Sequence, residues 1–296
     1  MRIAKRLNEA KTMMEQAGRE GSSAEWLLMH VLEVDRTGLL VRLSDELTPE
    51  QDLRFSEYLL AHVHGVPVQH LIGYQPFYGR DFRVTPDVLI PRPETEELIV
   101  FVTERLKRES FTAGQIVDIG TGSGAIGITL ALELEQPVTT VDISPAAITV
   151  AKQNQAALGG DVTFLEGDLL APLADNSVRV LVSNPPYIEE EELLSEVVFD
   201  HEPHLALFGG KDGLVFYRRL VDESGRVLRD DFRLIEDSSR VLRDDFRLIA
   251  FEIGHNQGQE VQMMLKKRYP TVETGILKDI NGKDRIVYAE RKDCTA

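Results

Sequence analysis

Apolar residues follow two different periods along the chain, and the change of period divides it. Near the start, Ala24, Leu27, Leu28, Val31 and Leu32 stand at i, i+3, i+4, i+7 and i+8, which is one stripe of an amphipathic helix. Ser22 with Glu25 three residues on has the form of a capping box at its start. Thr48-Pro49-Glu50-Gln51 repeats that signal, with Thr48 as N-cap, Pro49 at the first helical position and Gln51 at the third. Leu53, Leu59, Leu60 and Val63 then predict the inner face of the next helix. Residues 1–72 therefore read as a small all-α domain whose expected task is binding. His62, His64 and His70 read as helix-surface or packing residues, because no carboxylate or cysteine is regularly spaced around them.

Texture changes over residues 73–93, where Gly, Pro, Phe and Tyr dominate. The runs Phe82-Arg83-Val84 and Val88-Leu89-Ile90 predict a hairpin linking two domains. It ends in Pro91-Arg92-Pro93-Glu94-Thr95-Glu96, whose prolines stop the strand and start a helix. Arg92 and Glu94 read either as a capping and surface pair or as residues of a rigid loop facing a ligand.

From about residue 115, over the span 94–296, strand and helix alternate. The predicted strands are Gln115–Ile119, Thr139–Ile143, Val162–Leu165 and Val178–Val182, followed in the tail by Leu248–Ile253 and Arg285–Tyr288. Ala125–Leu134 is an apolar helix, and Ser144-Pro145 caps the next with Ser as N-cap and Pro behind it. Gln257–Leu265 predicts a further helix. Alternation of this kind builds a parallel, doubly wound α/β sheet.

One block departs from the pattern. Arg226-Val-Leu-Arg-Asp-Asp-Phe-Arg-Leu-Ile235 recurs unchanged at residues 240–249. Two copies are too few for a solenoid. Only the second runs directly into the strand ending at Ile253, so the block reads as a tandem duplication tolerated at the surface. Leu228, Phe232 and Ile235 are spaced to extend the preceding helix.

Composition narrows the partners. The 296 residues are 43% hydrophobic and 28% charged, enough for a sizeable core. Their formal net charge of −16 disfavours a nucleic-acid phosphate backbone as the main partner. A single cysteine, Cys294, excludes a disulfide framework and a cysteine metal cluster and suits a reducing compartment. With no signal-peptide core and no membrane-length apolar run, a cytoplasmic, soluble protein is expected.

The chemistry concentrates at two strand ends. Asp118-Ile-Gly120-Thr-Gly122-Ser-Gly124 is a glycine turn between strand and helix, where backbone can approach a ligand. Gly122-Ser-Gly124-Ala-Ile-Gly127, with Asp142 further on, formally matches a dinucleotide site. The earlier glycines and a second acid, Asp168, suit S-adenosylmethionine better. At the fourth strand's end, Asn184-Pro185-Pro186-Tyr187 offers an amide and a flat ring held by two prolines that cannot extend a sheet. That set suits gripping a planar amide or amino group.

These motifs carry a resemblance. Pro91-Arg-Pro-Glu-Thr-Glu96, the glycine turn, Asp142, Asn184-Pro-Pro-Tyr187, Ala206-Leu-Phe-Gly-Gly-Lys-Asp-Gly213 and Phe251-Glu-Ile-Gly254 together resemble the glutamine-N5 methyltransferases of peptide chain release factors, the PrmC/HemK family. The tetrapeptide alone is shared with adenine-N6 and other amino methyltransferases, so methylation of adenine or guanine in DNA or rRNA is the alternative. The resemblance implies a Rossmann-like class I methyltransferase sheet at 94–296, a hairpin linker at 73–93 and a partner-binding helical domain at 1–72. It implies S-adenosyl-L-methionine held by Gly120, Thr121, Gly122, Ser123, Gly124 and Asp142, with Asp168 and Leu169 lining the adenine and Asn184 touching both ligands. Asn184, Pro185 and Tyr187 would be the catalytic residues, and Pro186, Arg92 and Glu94 would join them around the substrate glutamine. The implied partner is a release factor, met by a monomer that needs no metal and touches no membrane. The repeated block is the departure from the family, and it leaves every site motif intact.

Overall fold

The computed structural model describes residues 1–109, 111, 114–228 and 247–291. In chain order its elements begin with α1 (Ile3–Gln16), α2 (Ser23–Leu32), α3 (Arg36–Val41), α4 (Pro49–Val63) and α5 (Val68–Ile72). A two-stranded sheet follows, β1 (Tyr74–Phe77) with β2 (Arg80–Arg83). The next elements are α6 (Pro93–Arg108), β3 (Gln115–Ile119), α7 (Ala125–Leu134), β4 (Val138–Asp142), α8 (Pro145–Leu158), β5 (Val162–Glu166) and β6 (Val178–Ser183). After α9 (Glu196–His201) and one short 3-10 turn come α10 (Val215–Val227), β7 (Arg247–Glu252), α11 (Gly258–Arg268), β8 (Glu273–Lys278) and β9 (Asp284–Arg291).

Contacts group these elements into two compact units. The first comprises Met1–Tyr74 with two later segments, Val84–Pro86 and Leu194–His201. Its core packs Leu27, Leu28 and Val31 of α2 against Ile3, Met14, Phe55 and Leu59. Thr48 forms its capping box in full: its hydroxyl accepts from the Gln51 N–H, and the Gln51 side chain accepts from the Thr48 N–H. Ser22 does not, since its backbone is already helical and its hydroxyl turns to Glu20. The face of α4 also differs from the expected one. Phe55, Leu59 and His62 are buried, whereas Leu53 and Leu60 are exposed. The aromatic at position 55 sets the phase, because a large buried ring outweighs two leucines at the stripe's edge. His62 is a packing residue. Its Nδ1 meets the Val66 carbonyl at 2.8 Å, and burial lowers its pKa.

The second unit holds a seven-stranded sheet in the order β5-β4-β3-β6-β7-β9-β8. The first five strands run parallel, and β9 pairs antiparallel with both β7 and β8. Order reverses between β3 and β6, which puts a crevice at the carboxyl ends of those two strands. Every residue of β6 is buried, as a central parallel strand covered on both faces requires. One core lies on one face around Leu98, Ile128 and Leu248, and the other around Ile119, Tyr217 and Val261. Val88-Leu89-Ile90 is not a strand: the hairpin is β1 with β2, and these three residues run as coil toward α6.

The described residues of the duplicated block are its two ends. Helix α10 stops at Val227, and Leu228 turns extended and bridges Val178 of β6. Leu248 of the second copy pairs with Val180, two positions further along the same strand. The expected helical extension through Phe232 and Ile235 lies outside the described residues. No helix among the described residues is long and apolar enough to cross a membrane.

Candidate active site

The turn after β3 is built on Asp118 and Asp142. Gly120 and Gly122 adopt φ of +74° and +54°, left-handed values that a side chain would strain. Gly127, one turn into α7, has no room for a Cβ, which would meet Thr140 of β4 at 2.3 Å. Asp118 lies fully buried beneath the turn, accepting from the Thr121 hydroxyl at 2.7 Å and the Gly127 N–H at 3.2 Å. Burial pushes its carboxyl up to about 7, against the pull of the Thr121 hydrogen bond. Asp142, at the end of β4, accepts from Gly122 N–H at 2.8 Å and Ser144 N–H at 2.9 Å. Burial raises its pKa too, and those backbone donors oppose the rise. Each Asp142 oxygen keeps a lone pair for a ligand hydroxyl.

A cavity of about 350 Å³ opens above this turn, a size suited to a small molecule. Gly120, Gly122 and Asp142 form part of its wall, Asp168 and Leu169 another, and Ser183, Asn184, Pro185 and Pro186 face them. Thus the ends of β3, β4, β5 and β6 converge on one space. The residues fit an adenosyl group with a charged tail. Nothing lies within 4 Å of a Cβ built on Gly120 or Gly122, so backbone there is free to be approached. Asp87, Asp142, Asp168 and several apolar side chains supply hydroxyl acceptors and a surface for a flat ring. Asp168 is also held by Arg219, which grips its two oxygens at 3.1 and 2.8 Å.

Thr121, Ser123 and Gly124 are not on the cavity wall. The first two support the turn from below, Thr121 through Asp118 and Ser123 through its carbonyl, which accepts from the Asn154 side chain at 2.8 Å. Tyr187, Arg92 and Glu94 also lie outside that wall. Tyr187 is half-buried, its phenol pushed up to about 12 by desolvation and by the charge of Glu252. Arg92 is tied to Glu202 at 2.5 Å, and the other Glu202 oxygen accepts from the Ile90 N–H at 3.1 Å.

Several wall residues were not among the site residues expected from the sequence. Asp87, Val88 and Leu89 come from the coil before α6, and Leu205, Ala206, Phe216 and Arg219 from the stretch after Pro203. Phe216 and Arg219 stand three apart on α10, a spacing that marks one face of a helix but not which face. Glu202 left no trace either, since an acid beside a proline reads as surface.

The glycine-rich stretch 206–213 wraps the tetrapeptide. Ile188 N–H donates to Leu207 at 3.0 Å, and Gly209 N–H returns to Ile188 at 2.8 Å. A Cβ on Gly209 would sit 2.6 Å from the Pro186 carbonyl oxygen. Gln257 completes the clasp by donating to the Tyr187 carbonyl at 2.9 Å. The two prolines are therefore held from both sides. Asn184 in turn donates from Nδ2 to the Thr95 hydroxyl at 3.3 Å. Among the described residues no group of three or more potential ligands could hold a metal ion.

Comparison with known proteins adds to this geometry. Residues 6–73 match the family model described as the PrmC N-terminal domain, and residues 99–240 match the methyltransferase small domain. A release factor glutamine methyltransferase of Bacillus cereus is 48% identical, over 98% of this chain and 99% of its own. One from Bacillus subtilis is 42% identical over 97% of each chain. A solved structure of a release factor-specific protein-(glutamine-N5) methyltransferase from Alicyclobacillus acidocaldarius is 28% identical, covers 71% of this chain and 99% of that one, and superposes with a TM-score of 0.40.

Proposed function

Because the chain belongs to the release factor glutamine methyltransferase family, we propose that it transfers a methyl group from S-adenosyl-L-methionine to the side-chain amide nitrogen of a glutamine in a peptide chain release factor. The observation that carries this reading is the cavity itself, in which the Asn184-Pro185-Pro186 wall faces Gly120, Gly122 and Asp142. When bound, S-adenosyl-L-methionine supplies a methyl on a positively charged sulfur, so no metal is needed to activate it.

The chain's own residues must make an amide nitrogen reactive. Its lone pair is delocalised into the neighbouring carbonyl, which makes it a poor nucleophile. The Asn184 side-chain oxygen and the Pro185 carbonyl accept its two hydrogens and turn the lone pair toward the cavity. These fixed acceptors also offset the positive charge that develops on nitrogen, and they need no reorganisation to do so. Tyr187 packs the amide plane, and its raised pKa keeps the phenol neutral. Asp142 accepts from the ribose hydroxyls while Asp168 and Leu169 border the adenine. Arg92 and Glu94 stand at the entrance of α6, where they contact the substrate segment. The helical part, residues 1–72, is the partner-binding domain of this reading, and residues 94–296 carry the chemistry.

A net charge of −16 favours a protein substrate over a nucleic acid. Incubation with a purified release factor and S-adenosyl-L-methionine, followed by mass spectrometry of its glutamine-bearing loop, tests the proposal. One methyl on that glutamine is expected. Labelling of DNA or rRNA in place of the factor would overturn it.

A further inference from the structure

Glu252 lies at the end of β7 with 1% of its surface exposed, and its Oε2 has no hydrogen-bond partner. Burying an acid with one oxygen unused is costly. Its other contact explains the position. Thr95 is the hydrogen-bonding neighbour that most opposes the rise of the Glu252 pKa, and its hydroxyl oxygen receives the Asn184 Nδ2 hydrogen at 3.3 Å. A hydroxyl has one proton to give. If it goes to the carboxylate, the oxygen is left to accept from Asn184. The Asn184 oxygen then points away from Thr95.

We propose that Glu252 is a positioning residue that acts through Thr95 to fix the Asn184 amide with its oxygen toward the substrate nitrogen. This rests on the reading of Asn184 as acceptor for a glutamine amide. An ionised carboxylate only accepts, so it orients the whole row in one direction. A protonated Glu252 donates to Thr95 instead and frees the hydroxyl proton to point at Asn184. The Asn184 amide then turns over and meets an incoming NH2 with an NH2 of its own. Two donors face each other, and the substrate amide is no longer aligned.

The surroundings place this exchange in an accessible pH range. Burial pushes the Glu252 carboxyl up to about 7, opposed by Thr95 and by Arg285 and Arg92 and assisted by Glu94. Neither arginine is free to neutralise it. Arg285 is paired with Asp279 at 3.1 Å, and Arg92 is paired with Glu202. Tyr187 and Tyr217, the other titratable neighbours, stay neutral because burial raises both phenols.

The test uses the full chain with a release factor, measuring kcat and KM from about pH 5.5 to about 9. The expected wild-type kcat falls on the acidic side of about 7, with affinity for S-adenosyl-L-methionine unchanged. Glu252→Gln keeps a neutral acceptor for Thr95 and should abolish that acidic limb. Thr95→Val should lower kcat about 10²-fold at every pH, as a misplaced reacting group does, and Thr95→Ser should restore it. A wild-type acidic limb persisting in Glu252→Gln overturns the proposal. Carboxyl-carbon NMR of Glu252 in the cofactor-free protein gives a readout independent of turnover, and an ordinary carboxylate titration there also overturns it. A wild-type protein that methylates no release factor, yet shows the raised Glu252 titration, would count against the function and not against the relay.

Discussion

A Cβ placed on Gly213 would lie 2.2 Å from the carbonyl oxygen of Tyr187. The backbone at Gly213 is also left-handed, with φ of +66°. Both facts demand glycine, and the atom that would be displaced belongs to the tetrapeptide that faces the cavity. Gly213→Ala is therefore expected to cost about 1–2 kcal/mol in stability for the left-handed backbone alone. Turnover should fall further than stability, because the Tyr187 carbonyl is backbone and cannot swing aside. Thermal melting and kcat, measured on one preparation, separate the two effects; an unchanged kcat would mean that the tetrapeptide is not held from this side.

Asn184→Ala removes the side chain proposed as the acceptor for the substrate amide. The expected loss in kcat is ~10²–10³, the usual effect of one preorganised polar contact. Cofactor affinity should change far less. Near-wild-type turnover would refute the role assigned to this side chain.

Asp142→Ala removes acceptors from two backbone donors and, on the proposed reading, from the ribose hydroxyls. Calorimetry should show S-adenosyl-L-methionine binding weakened by roughly 1–3 kcal/mol. Asp142→Asn, which keeps an acceptor oxygen, should recover part of that loss. Unchanged affinity in the alanine variant would remove Asp142 from the cofactor site.

Asp118 makes stability depend on pH. Its folded pKa of about 7 lies above the ordinary carboxylate value of 3.8, so the folded state binds the proton more tightly. The stabilisation is complete below the unfolded pKa and is lost as pH rises through the folded one. A shift of this size corresponds to something on the order of 4 kcal/mol across that window. Asp118→Asn should flatten the slope by a comparable amount, read from denaturant melts at a series of pH values. A slope identical to wild type would mean that Asp118 is ionised in the folded protein.

Deleting residues 229–242 leaves Leu228 joined to Arg243 and keeps every described residue, because one copy of the repeat then supplies both seated ends. Those ends pair with positions two apart along β6, roughly 7 Å at strand rise, which the five residues 243–247 span. The shorter connection costs less closure entropy, by about 1 kcal/mol. The deletion variant should melt at or above the wild-type temperature and bind S-adenosyl-L-methionine equally well. Failure to fold would show that both copies are required.

Where a local rule decides, the amino-acid sequence alone determined the outcome. The strand from Gln115 to Ile119, the helix from Ala125 to Leu134 and the Ser144 cap are where hydrophobic period and turn chemistry place them, because strand, helix and cap each depend on a few neighbouring residues. Glycine turn and tetrapeptide were legible for the same reason: each is a rigid motif at a strand end, where a parallel sheet puts its ligands. Tertiary structure alone decided what lies opposite them. Phe216 and Arg219 reach the cavity, and Glu202 reaches Arg92, across 110 residues in the last case. No periodicity encodes such a meeting. The same holds for α4, where Phe55 rather than Leu53 turned inward once there was a core to fill. The row Glu252–Thr95–Asn184 is assembled from a strand, a helix start and a strand end, each ordinary by itself. Its direction depends on a buried charge, and burial is a property the chain acquires only when the sheet closes over it.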